Sequence, residues 1–87
     1  MAEVEIYTSA LCGYSNRAKH LLGNKGVKFV EYDVTFDRAK RTEMTERAGG
    51  KTSVPQVFID GKCVGGSDDL IELDLDDELD PMLGIAS

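Results

Sequence analysis

Thr8-Ser9-Ala10-Leu11-Cys12-Gly13-Tyr14-Ser15 joins two different periodicities in a chain of 87 residues. Before it, Val4-Glu5-Ile6-Tyr7-Thr8 alternates between apolar and polar side chains, the pattern of a half-buried strand. After it, Ala18, Leu21 and Leu22 recur at i, i+3 and i+4, which puts one apolar stripe on a helix. Cys12 sits on the junction, at the first turn of that helix. There the unpaired N–H groups and the positive end of the macrodipole favour thiolate over thiol. The thiolate is the nucleophile. Cys12-Gly13-Tyr14-Ser15 has the spacing of a Cys-x-x-Cys redox pair whose second sulfur is replaced by a hydroxyl. The stretch therefore reads as the centre of a redox protein working with one active sulfur.

Outward from it, Gly23 and Gly26 supply a helix stop, and Val27 to Val34 is rich in β-branched and aromatic residues, a second strand. A strand, helix and strand at this spacing make a right-handed crossover and a parallel pair, with helices expected over the sheet. Asp37 has the form of an N-cap for a helix over Arg38 to Ala48, anchored by Ala39, Met44 and Ala48. Thr52 to Ile59 opens with Pro55 and continues as a strand, and Asp60-Gly61 is a two-residue hairpin turn into Lys62-Cys63-Val64. Ser67-Asp68-Asp69 supplies a cap and first-turn carboxylates for a helix carrying Leu70, Ile71 and Leu73 inward. Asp80-Pro81 has the cap-then-proline form of a last short helix, with Met82 and Leu83 closing the core. The order is β-α-β-α-β-β-α with an extra terminal turn: an α/β chain with a four-stranded mixed sheet flanked by helices.

Size and composition bound the function. One domain over residues 1–87 is expected. No run approaches the roughly 18 apolar residues of a membrane helix, and the first residues lack the pattern of a signal peptide. Two cysteines are too few for a disulfide framework, so a cytoplasmic location is expected. Net charge is −6, unevenly placed: residues 1–62 balance at +2, and from Cys63 onward there are 8 acids and no base. Nucleic acid is excluded as a partner, because phosphate contacts need Lys and Arg. The acidic tail reads as a solvated helix face.

Three separated motifs, in order, resemble the glutaredoxin family over nearly the whole length: Cys12-Gly13-Tyr14-Ser15, Ser53-Val54-Pro55-Gln56 and Gly65-Gly66-Ser67-Asp68-Asp69. The likeness is to the short bacterial kind with a single active cysteine. It implies a thioredoxin-like fold, glutathione as co-substrate and a cis peptide bond before Pro55. In that reading Ser53 and the Val54 backbone pair with an extended glutathione as an added strand does. The N–H groups at Gly66, Ser67 and Asp68 face its α-carboxylate, Asp68 or Asp69 takes its ammonium group, and Tyr14 packs beside the mixed disulfide. The activity implied is glutathione-dependent thiol–disulfide exchange by a monothiol route, the removal of glutathione from protein or small-molecule thiols.

The departures from the family pattern matter as well. No basic residue precedes Cys12; Arg17, Lys19, Arg38 and Arg41 are the cations considered for its place, and the sequence does not choose among them. Gly13 replaces a commoner proline. Ser15 replaces the resolving cysteine and either donates to the Cys12 thiolate or caps the helix, the cap being preferred. Ser67, where some relatives carry a further cysteine, reads as an N-cap. Cys63 reads as a structural residue and His20 as a surface one. No metal site is expected within one chain, which is expected to be a monomer. The alternative function is a [2Fe–2S] carrier, in which Cys12 of two copies and two glutathione sulfurs hold the cluster in a dimer. Against it, the Cys-Gly-Phe-Ser motif of dedicated carriers is absent.

Overall fold

The computed structural model describes residues 2–10 and 12–85, so Leu11 of the cysteine loop lies outside the described residues. Strand β1 (Val4–Thr8) follows the alternation closely, with Val4 and Ile6 on one face and Glu5 and Tyr7 on the other. Helix α1 (Gly13–Asn24) leads to strand β2 (Val30–Asp33) and helix α2 (Arg38–Arg47). Strands β3 (Gln56–Ile59) and β4 (Lys62–Gly65) form a hairpin, followed by helices α3 (Ser67–Leu75) and α4 (Leu79–Leu83). The sheet order is β2-β1-β3-β4. β1 runs parallel to β2 and antiparallel to β3, and β3 runs antiparallel to β4. This is the four-stranded mixed sheet the sequence predicts.

Both sheet faces are covered. Val4, Ile6, Val57 and Ile59 pack with Ala18 and Leu22 of α1, Leu70 of α3 and Leu79 and Leu83 of α4. On the opposite face Tyr7 and Phe58 pack with Val34, Met44 and Ala48. Truncating one of these fully buried leucines to alanine costs about 2–5 kcal/mol through lost transfer energy and the cavity left behind. Glu5, Tyr7, Tyr32 and Arg47 form a polar network beside the second cluster. Arg47 donates to both Glu5 carboxylate oxygens, at 3.0 and 2.9 Å, and to the Tyr7 hydroxyl at 2.8 Å.

Several boundaries differ from the sequence reading, each for a local reason. α1 begins at Gly13, five residues before the apolar stripe opens at Ala18, and runs through Gly23 to Asn24; the left-handed residue that ends it is Gly26, at φ 71°. The second strand shortens to Val30–Asp33 because the Val27 N–H donates to the Leu22 carbonyl of the helix end. It is also an edge strand, with Val30 and Glu31 exposed rather than covered. Ala39 is exposed and anchors nothing. Pro55 precedes the third strand, which starts at Gln56. Asp60 and Gly61 turn the hairpin at φ 53° and 81°, the paired positive values a type I′ turn requires. The cap of α3 is Gly66, and Ser67 is its first helical residue. α4 starts at Leu79, upstream of the expected Asp80, and Leu79 is fully buried. Pro81 is tolerated inside it because the first helical N–H groups need no intrahelical acceptor. Lys25 ties the helices together, its Nζ lying 2.6 Å from Asp74 of α3 and 2.7 Å from Asp80 of α4.

Candidate active site

Parallel β1 and β2 leave the sheet at one end, and the antiparallel hairpin brings the start of β3 and the finish of β4 to that same end. The three motifs separated in sequence therefore meet there. Cys12 is the N-cap of α1, extended at φ −109° and ψ 115°, and its side chain makes no capping bond. Its thiol is half-buried and donates to the Val54 carbonyl at 3.7 Å. Burial pushes the thiol pKa up. The Ser15 N–H, the Ser15 hydroxyl and the Tyr14 N–H favour the anion more, and the net position lies below the ordinary thiol value of 9.0.

Ser15 is fully buried inside α1 and does not cap it. The preferred capping role is thus corrected: Cys12 holds the cap position. The Ser15 Oγ accepts from the Ser9 N–H at 3.2 Å, which leaves its own proton for the sulfur.

The Val54–Pro55 peptide bond is cis. It forms one wall of a groove of about 320 Å³ lined by Ser53, Val54, Pro55, Gly66, Ser67 and Asp68, with Tyr14, Lys51, Gln56 and Asp69 completing it. Tyr14 is 55% exposed. Cys12 meets the groove at its rim, through Val54. A hollow of about 410 Å³ under Ala2, Val30 and Tyr32 has no cysteine in its lining, whereas the smaller groove has Cys12 at its rim, bonded to Val54 of the lining. The two carboxylates expected to act interchangeably have different partners. Both are exposed, and it is Asp69 that accepts the Gly66 N–H at 3.0 Å, completing the helix start. Ser67 is buried, and its hydroxyl has no hydrogen-bond partner among the described residues.

None of the four cations weighed from sequence lines this groove. Arg17 stacks over Tyr14 at 5.6 Å, Lys19 pairs with Glu31 at 3.1 Å, and Arg41 donates to the Thr52 carbonyl at 3.1 Å. Arg38 is exposed beside Arg41. The cation at the groove is Lys51, which sequence reasoning missed. Its signal was its position, two residues before Ser53. Gln56 was also missed as a site residue. It is buried, and its amide Nε2 donates to the Ser53 carbonyl at 2.9 Å and the Ser53 hydroxyl at 3.2 Å. Its Oε1 accepts from the Cys63 thiol at 3.7 Å. Cys63 packs in the cluster under α2, and both cysteines are free thiols. His20 is exposed on α1. No group of three or more metal-ligating side chains occurs among the described residues, and none of their helices is long and apolar enough to cross a membrane.

A cysteine held as a helix N-cap, its thiol pKa lowered by local N–H and O–H groups, beside a cis-proline wall defines a thiol–disulfide oxidoreductase of the thioredoxin-like class. A family profile described as Glutaredoxin matches residues 4–64. Glutaredoxin 3 of Escherichia coli is 53% identical over 83 residues, covering 95% of this chain and 99% of its own. The solution structure of a glutaredoxin from Brucella melitensis is 44% identical, with a TM-score of 0.83 over 95% of this chain and 89% of that one. The crystal structure of a buckwheat glutaredoxin–glutathione complex superposes with a TM-score of 0.86 at 29% identity, over 98% of this chain and 83% of that one. The chain belongs to the glutaredoxin family.

Proposed function

We propose that this glutaredoxin is a glutathione-dependent, monothiol oxidoreductase that removes glutathione from mixed disulfides, its residues 1–87 acting as one domain. The observation that carries the reading is the groove at the rim of Cys12, which joins the Val54 backbone to the start of α3. The glutathione complex of the buckwheat relative supports it.

The Cys12 thiolate attacks the glutathione sulfur of a mixed disulfide. The disulfide breaks, the target thiolate leaves and takes a proton from water, and Cys12 carries the glutathione. The thiolate of a second glutathione then attacks that sulfur, so oxidised glutathione leaves and the Cys12 thiolate is restored. The one incoming glutathione thiolate supplies the electron pair, and oxidised glutathione is made of that molecule and the glutathione carried in by the mixed disulfide. Ser15 cannot close a local disulfide, and Cys63 is tied to Gln56, which supports the one-sulfur route.

Glutathione pairs with the Val54 backbone beside Ser53 and Pro55. Its α-carboxylate lies at the N–H groups of Gly66, Ser67 and Asp68, where the helix dipole and the Ser67 hydroxyl favour an anion. Its ammonium group meets Asp68, since Asp69 is engaged with Gly66. Lys51 serves the remaining carboxylate, and Tyr14 covers the disulfide. The working form is a monomer in a reducing compartment, the cytoplasm.

Turnover of glutathionylated cysteine with glutathione, coupled to glutathione reductase, tests this in wild type, Cys12→Ser and Cys63→Ser. Loss to background only with Cys12→Ser is the expected result. A wild type without turnover, brown when purified anaerobically and colourless as Cys12→Ser, would replace the reading with the bridged [2Fe–2S] dimer.

A further inference from the structure

The order of strands at the active end of the sheet gives Cys12 two flanks. Thr8, the last residue of β1, is level with Asp33 of β2, and Tyr7 is level with Gln56 of β3. Most of the groove's lining, Ser53 to Gln56 and Gly66 to Asp69, lies at the ends of β3 and β4, with none of it from β2. On the other flank, one strand spacing of about 4.8 Å away, β2 ends in the turn Val34-Thr35-Phe36-Asp37. Phe36 there is 97% exposed, more than Tyr14, Val30 or Leu75.

The turn is hydrogen-bonded on both sides. The Asp33 carboxylate accepts from the Thr35 N–H at 2.9 Å and the Thr35 hydroxyl at 2.6 Å. The Ala10 N–H, two residues before Cys12, donates to the Thr35 Oγ1 at 2.9 Å. On the far side the Asp37 N–H donates to the Val34 carbonyl at 3.4 Å, and the Asp37 carboxylate caps α2 by accepting from the Lys40 N–H at 3.0 Å. An exposed phenylalanine therefore stands on a turn that is hydrogen-bonded to the cysteine loop. Arg38 and Arg41 follow it, both exposed and neither in an ion pair among the described residues.

We propose that Phe36, with Arg38 and Arg41, is the docking contact for the protein half of a glutathionylated substrate, and that it selects acidic partners with an apolar side chain near the modified cysteine. The inference rests on the glutathione reading of the groove. If glutathione fills the β3–β4 flank, the disulfide bond sends the other half of the substrate across Cys12 towards β2. Phe36 is the most exposed large apolar side chain among the described residues, and it stands on that flank. The turn that carries the ring is already hydrogen-bonded in place, so docking orders little backbone, and Arg38 and Arg41 supply local positive charge for an acidic partner in a chain that is otherwise net negative.

The test compares glutathionylated serum albumin, an acidic protein, with glutathionylated cysteine, in wild type, Phe36→Ser and Phe36→Leu. Phe36→Ser should lower kcat/KM for the albumin conjugate by about tenfold, Phe36→Leu should restore most of it, and glutathionylated cysteine should be turned over equally by all three. Raising the salt concentration should slow the albumin reaction alone. Equal albumin rates for wild type and Phe36→Ser, or an equal loss on both substrates, overturn the docking role while leaving the groove reading intact. A wild type that turns over neither substrate overturns the groove reading and the docking role with it.

Discussion

The Ser15 hydroxyl oxygen accepts the Ser9 N–H at 3.2 Å, bridging the end of β1 to the first turn of α1 directly beneath Cys12. One side chain thus closes the cysteine loop and, with its proton, stabilises the thiolate. Ser15→Ala removes both effects. The Ser9 N–H loses its partner, at a cost of about 1–3 kcal/mol. The pH midpoint of Cys12 alkylation by iodoacetamide, measured with Cys63 replaced by serine, should rise towards the ordinary thiol value of 9.0. An unmoved midpoint would remove the hydroxyl from the account.

Glu5 makes stability depend on acid. The side-chain bond from Arg47 lowers its pKa most, burial opposes this, and the charge of Arg47 and the Tyr32 hydroxyl lower it further, leaving it below 4.5. A folded-state pKa below the unfolded value stabilises the protein above the unfolded pKa, and that contribution is lost as pH falls through the folded one. Glu5→Gln should therefore be less stable than wild type by about 1–2 kcal/mol at neutral pH, after discounting for partial exposure. The two unfolding curves should converge as the pH drops below 4.5. A constant gap across the acid range would contradict the linkage.

Gly65 has no room for a side chain. A Cβ there would lie 2.3 Å from the Asp69 carboxylate, and its φ of 112° is a region that side chains avoid. Gly65→Ala should cost about 1–3 kcal/mol in backbone strain and push Asp69 off the Gly66 N–H. Denaturant unfolding reads the first effect. A raised KM for glutathionylated cysteine at little changed kcat reads the second.

Gln56 positions Ser53 from behind the groove. Gln56→Leu keeps most of the volume and removes both bonds to Ser53. KM for glutathionylated cysteine should rise about fivefold, the equivalent of roughly 1 kcal/mol. The pH midpoint of Cys12 alkylation should stay in place, because Gln56 makes none of the contacts that set it. A shifted midpoint would mean that the substitution disturbs the cysteine loop itself.

Lys25 bridges Asp74 and Asp80, and its bonds to those two carboxylates raise its pKa above 10.5, against some loss of solvation. A raised folded-state pKa stabilises below the unfolded value and fades as pH climbs through the folded one. Lys25→Met should speed hydrogen exchange in α4 at neutral pH while leaving β1 and β3 protected. Equal protection of α4 in both proteins would make the bridge inconsequential.

Local signals alone determined a great deal. Alternation marked β1, Asp37 marked the start of α2, Asp60-Gly61 marked the hairpin, and Cys12 declared itself by standing where a strand pattern becomes a helical one. Each depends on residues within a few positions of one another, so each is legible without the fold. Whatever required distant groups to meet was decided by tertiary structure. Ser15 resembles a cap in sequence, and only the return of Ser9 over it makes it a buried brace. Lys51, not Arg17 or Arg38, reaches the groove because the loop between α2 and β3 passes that way. Asp68 and Asp69 are equivalent in sequence until Gly66 engages one of them. Leu79 is core, and Ala39 is not, because burial depends on which helix face meets the sheet. The physical reason is range: propensity and capping act within a turn of chain, whereas a binding groove is set by strand order, which only long-range pairing defines.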